Sequence, residues 1–267
     1  MALREVLPTS KLIFAQQSEF IGTVTLNQPA KRNALSEPLV EEWLSALASF
    51  EKNGVRAVVI RAAADAKVWS AGHDISELPQ GKDPLPYSDA IERLLRAIKR
   101  FPAPVIAMVH GTVWGAATDL VLSCDIAVGD ETCSFAITPA NIGLAYNTAG
   151  LLQFMRRLPL NLVKEMFFTA NPVKAEDAAN WGILNHLVPT ADLEQFTYDL
   201  ARQIATKAPL VLSTVKEQLR TLTEAHPIPP DIFERIQELR HRVYQSRDYQ
   251  EGINAFHEKR KPIFTGK

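Results

Sequence analysis

The stretch that most constrains the fold is Phe101-Pro102-Ala103-Pro104 followed by the apolar run Val105–Val109. The prolines end the candidate helix that approaches from Asp89–Lys99. The run itself has no polar alternation and reads as a buried strand. Strand-like and helix-like segments alternate on either side of it. Ile21–Leu26 and Val55–Ile60 are rich in β-branched residues and read as strands, as does the shorter Asp125–Val128. A helix is predicted from Ser36, with Glu37 and Pro38 in its first turn. Leu39, Val40, Trp43, Leu44, Leu47 and Phe50 give it one apolar stripe. Gly115 to Ser123 reads as a further helix. This alternation predicts an α/β core with parallel strands.

After about Tyr146 strand signals thin out and helices dominate. A short helix is expected at Ala175–Trp181, closed by Gly182. Longer ones follow at Ala191–Thr206, Leu210–Leu222 and Asp231–Gln245, interrupted by the three prolines of His226–Pro230. The end of the chain therefore reads as a helical appendage, and no tandem sequence repeat is evident. A chain of 267 residues can form one large domain or a domain plus such an appendage. With 29 Lys+Arg against 30 Asp+Glu it has no general attraction for nucleic acid or anionic lipid. It also lacks a sustained basic and aromatic stripe. No apolar run approaches the roughly 20 residues of a membrane helix. Met1–Ser10 lacks the apolar centre of a signal peptide, so a soluble, cytoplasmic protein is expected. Cys124 and Cys133 make neither a disulfide framework nor a structural zinc site.

Three segments could carry chemistry. In Lys67–Ile75, small residues at Ser70–Gly72 allow a ligand close to the backbone, and nearby peptide N–H groups could bind an anion. Ser70, His73 and Asp74 are sequence neighbours and rarely share the geometry of a hydrolytic triad, and no Gly-x-Ser-x-Gly is present. In His110–Asp119 a buried strand leads into a helix, exposing unpaired N–H groups at its positive end. It lacks the Gly-Lys-Ser/Thr ending of a phosphate-binding P-loop. Phe135–Asn147 places Thr138, Asn141 and Tyr146 in a mostly apolar stretch. Each alone also has a plain structural reading: a turn, helix–strand packing, a tyrosine with one satisfying hydrogen bond. The residues by themselves reach an α/β enzyme of unspecified reaction.

Together and in this order, the segments resemble the crotonase (enoyl-CoA hydratase/isomerase) superfamily. Ser70-Ala71-Gly72-His73-Asp74-Ile75 and Gly111-Thr112-Val113-Trp114-Gly115-Ala116-Ala117 resemble its two oxyanion segments. Cys124-Asp125, Ala178–Ile183 and Tyr249–Phe264 continue the match. The resemblance implies a spiral of ββα units over residues 1–205 and a C-terminal helical oligomerisation region over 206–267, in a homotrimer or homohexamer. It implies a thioester enolate held by the peptide N–H groups of His73 and Ala116, the latter at a position usually filled by glycine. Hydratases of the family handle water with two glutamates. The matching positions here are Asp119, with a shorter reach, and Ala140, which cannot act as acid or base.

Through Val68–Pro79 and Thr138–Gly143 the resemblance implies decarboxylation of methylmalonyl-CoA or a close malonyl-CoA analogue, a reaction that needs no base and so suits what remains. Thr138 and Tyr146 are candidates to orient the carboxylate, and Tyr146 or a water it holds to protonate the enolate. Asp119 is a catalytic group, a hydrogen-bond anchor or a plain helix residue. For CoA the resemblance points to Lys31, Arg32 and Ala34, to the backbone around Ala71, Asp74 and Ile75, and to Phe256 and Lys259 of the same chain or of a neighbouring subunit. CoA is part of the substrate, and no cofactor or metal is expected. The alternatives are an enoyl-CoA hydratase or isomerase using Asp119, and a non-catalytic CoA-thioester-binding protein.

Overall fold

The alternation in the sequence corresponds to a repeating structural unit of two strands and a helix. A computed structural model describes residues 4–5, 12–79, 82–225 and 227–267. Apart from Arg4–Glu5, the Met1–Ser10 stretch lies outside the described residues, as does His226 of the proline-rich interruption. The chain opens with β1 (Arg4–Glu5), β2 (Ile13–Ser18) and β3 (Ile21–Leu26), paired antiparallel, then α1 (Glu37–Lys52). Three units follow: β4 (Ala57–Ala62), β5 (Val68–Ser70) and α2 (Ala90–Arg100); β6 (Val105–Val109), β7 (Thr112–Trp114) and α3 (Ala116–Ser123); β8 (Ile126–Asp130), β9 (Ser134–Ala136) and α4 (Thr148–Arg157). After them come α5 (Leu160–Thr169), β10 (Val173–Lys174), α6 (Ala175–Trp181), β11 (His186–Val188) and α7 (Leu193–Ala205). The chain closes with α8 (Pro209–Glu224), α9 (Pro230–Tyr244) and α10 (Arg247–His257).

The first strand of each unit joins a large sheet of order β1-β2-β3-β4-β6-β8-β11, parallel from β3 onward. The second joins a small sheet of order β10-β9-β7-β5, parallel except at β9–β10. The missing alternation in β6 is explained by its place between β4 and β8. Val105, Ala107 and Val109 face the main core, with α1, α2 and α3. Ile106 and Met108 face a second core built on α7, with Ala57, Val59 and Val128. With apolar cover on both faces, every residue of β6 is buried.

Several sequence expectations shift. β4 runs Ala57–Ala62 rather than Val55–Ile60, because its parallel register with β3 carries it on through Arg61. β8 begins at Ile126, since Asp125 turns its carboxylate to accept from the Val105 N–H at 2.7 Å. The predicted Ala191–Thr206 helix opens instead as a 3-10 turn at Thr190–Asp192. The short strands β10 and β11 lie beyond Tyr146, where helices were expected to dominate and no strand was assigned.

The C-terminal helices grip the core at two places. On α8, Lys216 Nζ donates to the carbonyls of Ile98 and Ala103, both at 3.1 Å, and meets Asp125 Oδ2 at 2.6 Å. α10 lies on the 3-10 turn Pro139–Ile142 so closely that a Cβ on Gly252 would collide with the Ile142 carbonyl. One on Gly143 (φ +64°) would stand 2.7 Å from the Asp248 carbonyl oxygen. Tyr244, Tyr249 and Ile253 form a satellite core there with Leu78. Tyr244 donates to the Ala145 carbonyl at 2.6 Å and Tyr249 to that of Pro79 at 3.0 Å.

Candidate active site

The first candidate donor sits on the turn after β5. This turn is braced by the loop before α1, where Arg32 and Asn33 adopt left-handed backbone at φ +52° and +53°. The buried Asn33 amide donates to the Trp69 carbonyl at 3.0 Å and accepts from the Gln28 N–H at 2.9 Å. Ser70 Oγ donates to the Asn33 carbonyl at 2.7 Å, and the Gly72 N–H donates back to that hydroxyl at 3.2 Å. Leu35 and His73 then form a single parallel bridge. In it Leu35 N–H donates to the Gly72 carbonyl at 2.7 Å and Asp74 N–H to the Leu35 carbonyl at 3.2 Å. That pairing uses the groups flanking His73 and leaves its own N–H out of the ladder. Among the described residues it donates to no acceptor.

The second candidate donor is the first residue of α3, where a helix leaves its N–H groups unpaired. Gly115 precedes it at φ +53° and ψ −125°, a conformation that only glycine adopts readily. The turn is fixed by the Gly115 N–H on the Ala136 carbonyl at 2.8 Å and by Thr118 Oγ1 on the same oxygen at 3.1 Å. The Ala116 N–H has no acceptor among the described residues. The two turns abut. Gly72, at φ +81°, has no room for a Cβ, which would strike the Trp114 carbonyl and lie 3.0 Å from Ala116 N. Thr138 joins them from the end of β9, its Oγ1 standing 3.8 Å from where a Cβ on Gly115 would be.

One turn into α3 the buried Asp119 accepts from the Tyr146 hydroxyl at 3.0 Å. Its other oxygen, Oδ1, is buried without a hydrogen-bond partner. Burial, and then the Glu92 carboxylate, push Asp119 up to about 6 against the pull of Lys99 and the Tyr146 hydroxyl. Burial and the neighbouring Asp119 hold the Tyr146 phenol well above its ordinary value, so it is neutral. Its ring is packed edge-on against Phe154 and Phe167, with centroids at 6.3 and 5.3 Å, and lies over Gly150, where a Cβ would overlap it. Asn147 completes the setting, capping α4 through the Gly150 N–H at 2.7 Å and donating to the buried Glu92 at 2.5 Å.

The other expected residues divide between two places. Lys31 and Asp74 are brought together at 2.7 Å, beside the Ala71 N–H, which donates to the Arg32 carbonyl at 2.9 Å. Their hydrogen bond holds the Lys31 ammonium above its usual pKa. Asp74 stands below the carboxylate range because Lys31 and Ser76 outweigh its burial. Ala34 is buried, Arg32 is exposed, and Ile75 opens a 3-10 turn capped by Asp74. Phe256 and Lys259 stand exposed at the far end of α10, with no described contact to the Lys31 loop.

Asp89 is a participant that the sequence reading left unassigned. It caps α2 through the Ile91 N–H at 2.9 Å and lies 3.6 Å from His73 Nε2, while His73 Nδ1 donates to the Asp74 carbonyl at 3.1 Å. Burial disfavours the imidazolium, but Asp89 and the Asp74 carbonyl prevail and raise its pKa. A capping Asp at a helix start was legible; its reach to residue 73 was not.

A spiral of ββα units with two free amides at abutting turns defines a class, and the sequence agrees. The model of the enoyl-CoA hydratase/isomerase family matches residues 16–267, and this chain belongs to that family. Over 257 residues it is 44% identical to methylmalonyl-CoA decarboxylase of Escherichia coli (strain K12), covering 93% of this chain and 98% of that protein. Human enoyl-CoA hydratase domain-containing protein 3, mitochondrial, is 35% identical over 268 residues, covering 98% of this chain and 84% of that one. Among solved structures, methylmalonyl-CoA decarboxylase in complex with 2-nitronate-propionyl-CoA superimposes with a TM-score of 0.95 at 43% identity, covering 97% of this chain and all 100% of that chain. The same enzyme complexed with 2S-carboxypropyl-CoA gives 0.95 at 42% identity, with the same coverage.

Proposed function

We propose that this protein is a carboxy-lyase that converts methylmalonyl-CoA, or a close malonyl-CoA analogue, to propionyl-CoA and CO2. The observation that carries the reading is the pair of unengaged peptide N–H groups at His73 and Ala116 on abutting turns. The thioester oxygen accepts from both amides. As the bond to the carboxylate carbon breaks, its electron pair moves into the thioester and the two donors meet the growing oxyanion. Removing one such donor elsewhere costs about 3–4 kcal/mol, so the pair supplies a large part of the acceleration. The electron count calls for neither biotin nor a metal.

Thr138, beside the second turn, holds the carboxylate out of the carbonyl plane. Tyr146 and Asp119 act as a pair. While Asp119 is ionised it takes the Tyr146 proton as a hydrogen bond; once protonated it can donate to Tyr146 and free that hydroxyl to donate to the enolate carbon. Ala140 offers no second carboxylate to activate water, which weighs against hydration. Lys31, Arg32 and Ala34, the backbone of Ala71, Asp74 and Ile75, and Phe256 with Lys259 are the residues we assign to CoA, the last two reaching it from a neighbouring subunit. We divide the chain into a core over 1–205 and an oligomerisation region over 206–267, and read the protein as cytoplasmic and as a homotrimer or homohexamer. No helix among the described residues is long and apolar enough to cross a membrane.

The test is a product assay on EDTA-treated protein across malonyl-, methylmalonyl-, ethylmalonyl- and crotonyl-CoA. CO2 release with propionyl-CoA from the methylmalonyl thioester is the expected result. Rapid hydration of crotonyl-CoA beside negligible CO2 would replace the reading with a hydratase. Saturable binding without any product would replace it with a binding protein.

A further inference from the structure

A second basic cleft lies apart from the residues assigned to the acyl-CoA. The last turns of α2 and α4 and one face of α8 enclose two adjoining depressions of about 280 and 260 Å3, joined through Lys99, Arg156, Arg220 and Glu224. Neither is lined by His73, Ala116, Thr138, Tyr146 or the Lys31 loop. Three cations from α2, two from α4 and two from α8 line them, against the carboxylates of Glu92, Asp125 and Glu224. Two of these carboxylates are already taken up, Asp125 by Lys216 at 2.6 Å and Glu224 by Arg220 at 2.6 Å. Lys99, Arg100, Arg156 and Arg157 form no ion pair among the described residues.

Each of those four sits in the last turn of its helix, where the helix dipole favours a cation. The dipole accounts for each one singly. It does not account for two helix ends turning these four unpaired cations onto one concavity, where an anion would relieve their mutual repulsion. Two further features shape the occupant. Arg96 Nη1 is buried with no hydrogen-bond partner, and the nearest carboxylate, Glu92, is 3.9 Å away. The Arg96 guanidinium stacks 3.7 Å from the centroid of the Tyr87 ring, which lines the cleft and is 71% exposed. A stacked guanidinium and aromatic ring form a platform for a flat base, and the free arginines and lysine match phosphate oxygens.

We propose that this cleft binds a nucleoside diphosphate, with its phosphates among Lys99, Arg100 and Arg156 and its base on the Tyr87–Arg96 platform. Equilibrium dialysis of the full chain with labelled ADP, and separately with pyrophosphate, tests it. Saturable binding at one site per chain, weakening as salt is raised, is expected. Lys99→Ala combined with Arg156→Ala should weaken ADP binding about tenfold or more while CoA affinity and the circular dichroism spectrum are unchanged. Arg156→Gln, a single change at an exposed position, should weaken it in the same direction. Tyr87→Ala should weaken ADP but not pyrophosphate. Absence of saturation up to about 1 mM would overturn the proposal. So would unaltered affinity in the double variant, or one-for-one displacement of ADP by CoA, which would place the nucleotide in the substrate's own site. These readouts measure binding alone and stand whether or not the protein decarboxylates.

Discussion

Asp119 shows how a single buried carboxyl links stability to pH. Its folded pKa of about 6 stands above the ordinary 3.8, so the folded state holds this proton more tightly than the unfolded chain. The resulting stabilisation is complete below the unfolded value and lost as pH rises through the folded one; about two units correspond to about 3 kcal/mol. Asp119→Asn keeps an acceptor for Tyr146 and removes the titration. Its stability relative to the parent, measured by urea denaturation, should therefore climb by up to about 3 kcal/mol between about pH 4 and pH 7. Tyr146→Phe keeps the ring packing on Phe154 and Phe167 and deletes the hydroxyl. Turnover should fall about a hundredfold while binding of a non-decarboxylating analogue changes little; equal losses would make Tyr146 a binding residue. At this scale the sequence showed the small residues of the turns but not what holds them. Asn33 meets its partner Trp69 from 36 positions away, and no local pattern records such a bond.

At the scale of elements, α10 and the Pro139–Ile142 turn behave as one piece because Gly252 and Gly143 let their backbones touch. Gly252→Ala should force them apart at a cost of about 1–3 kcal/mol. It should also lower turnover, since the displaced turn lies between Thr138 and Tyr146. A denaturation midpoint and kcat measured together check it, and an unchanged kcat would separate the helix from the site. Elements with strong internal signals were legible. Val105–Val109 and Ala175–Trp181 match the structure at both ends, one from its prolines and apolar run, the other from its C-terminal glycine. The second strands of the units, three residues each at β5, β7 and β9, are too short to display a period of two. Their pairing comes from the fold, so the repeat is structural without being written as a sequence repeat.

For the molecule as a whole, α8 buries no residue of its own in a single chain and exposes Val211, Val215 and Leu222, one stripe at helical spacing, at 58%, 45% and 70%. Covering such a face by another copy is the physical basis for expecting an oligomer. Sedimentation should return three or six times the 29.7 kDa chain mass, and Val215→Glu with Leu222→Glu should shift it toward the single chain. A parent protein that sediments as one chain would refute this. Charge balance and hydropathy could not reveal such an assembly, because they average over faces that only folding separates.

The Asn33 lock has a consequence for how a long, flexible substrate is measured out. The loop assigned to the nucleotide and the turn assigned to the reacting carbonyl are welded by buried hydrogen bonds into one gauge of fixed length. A thioester gripped at its distant handle is thereby registered at its business end. One shortened to a bare acyl-thiol would meet the same amides without that alignment, and would forfeit speed as well as affinity.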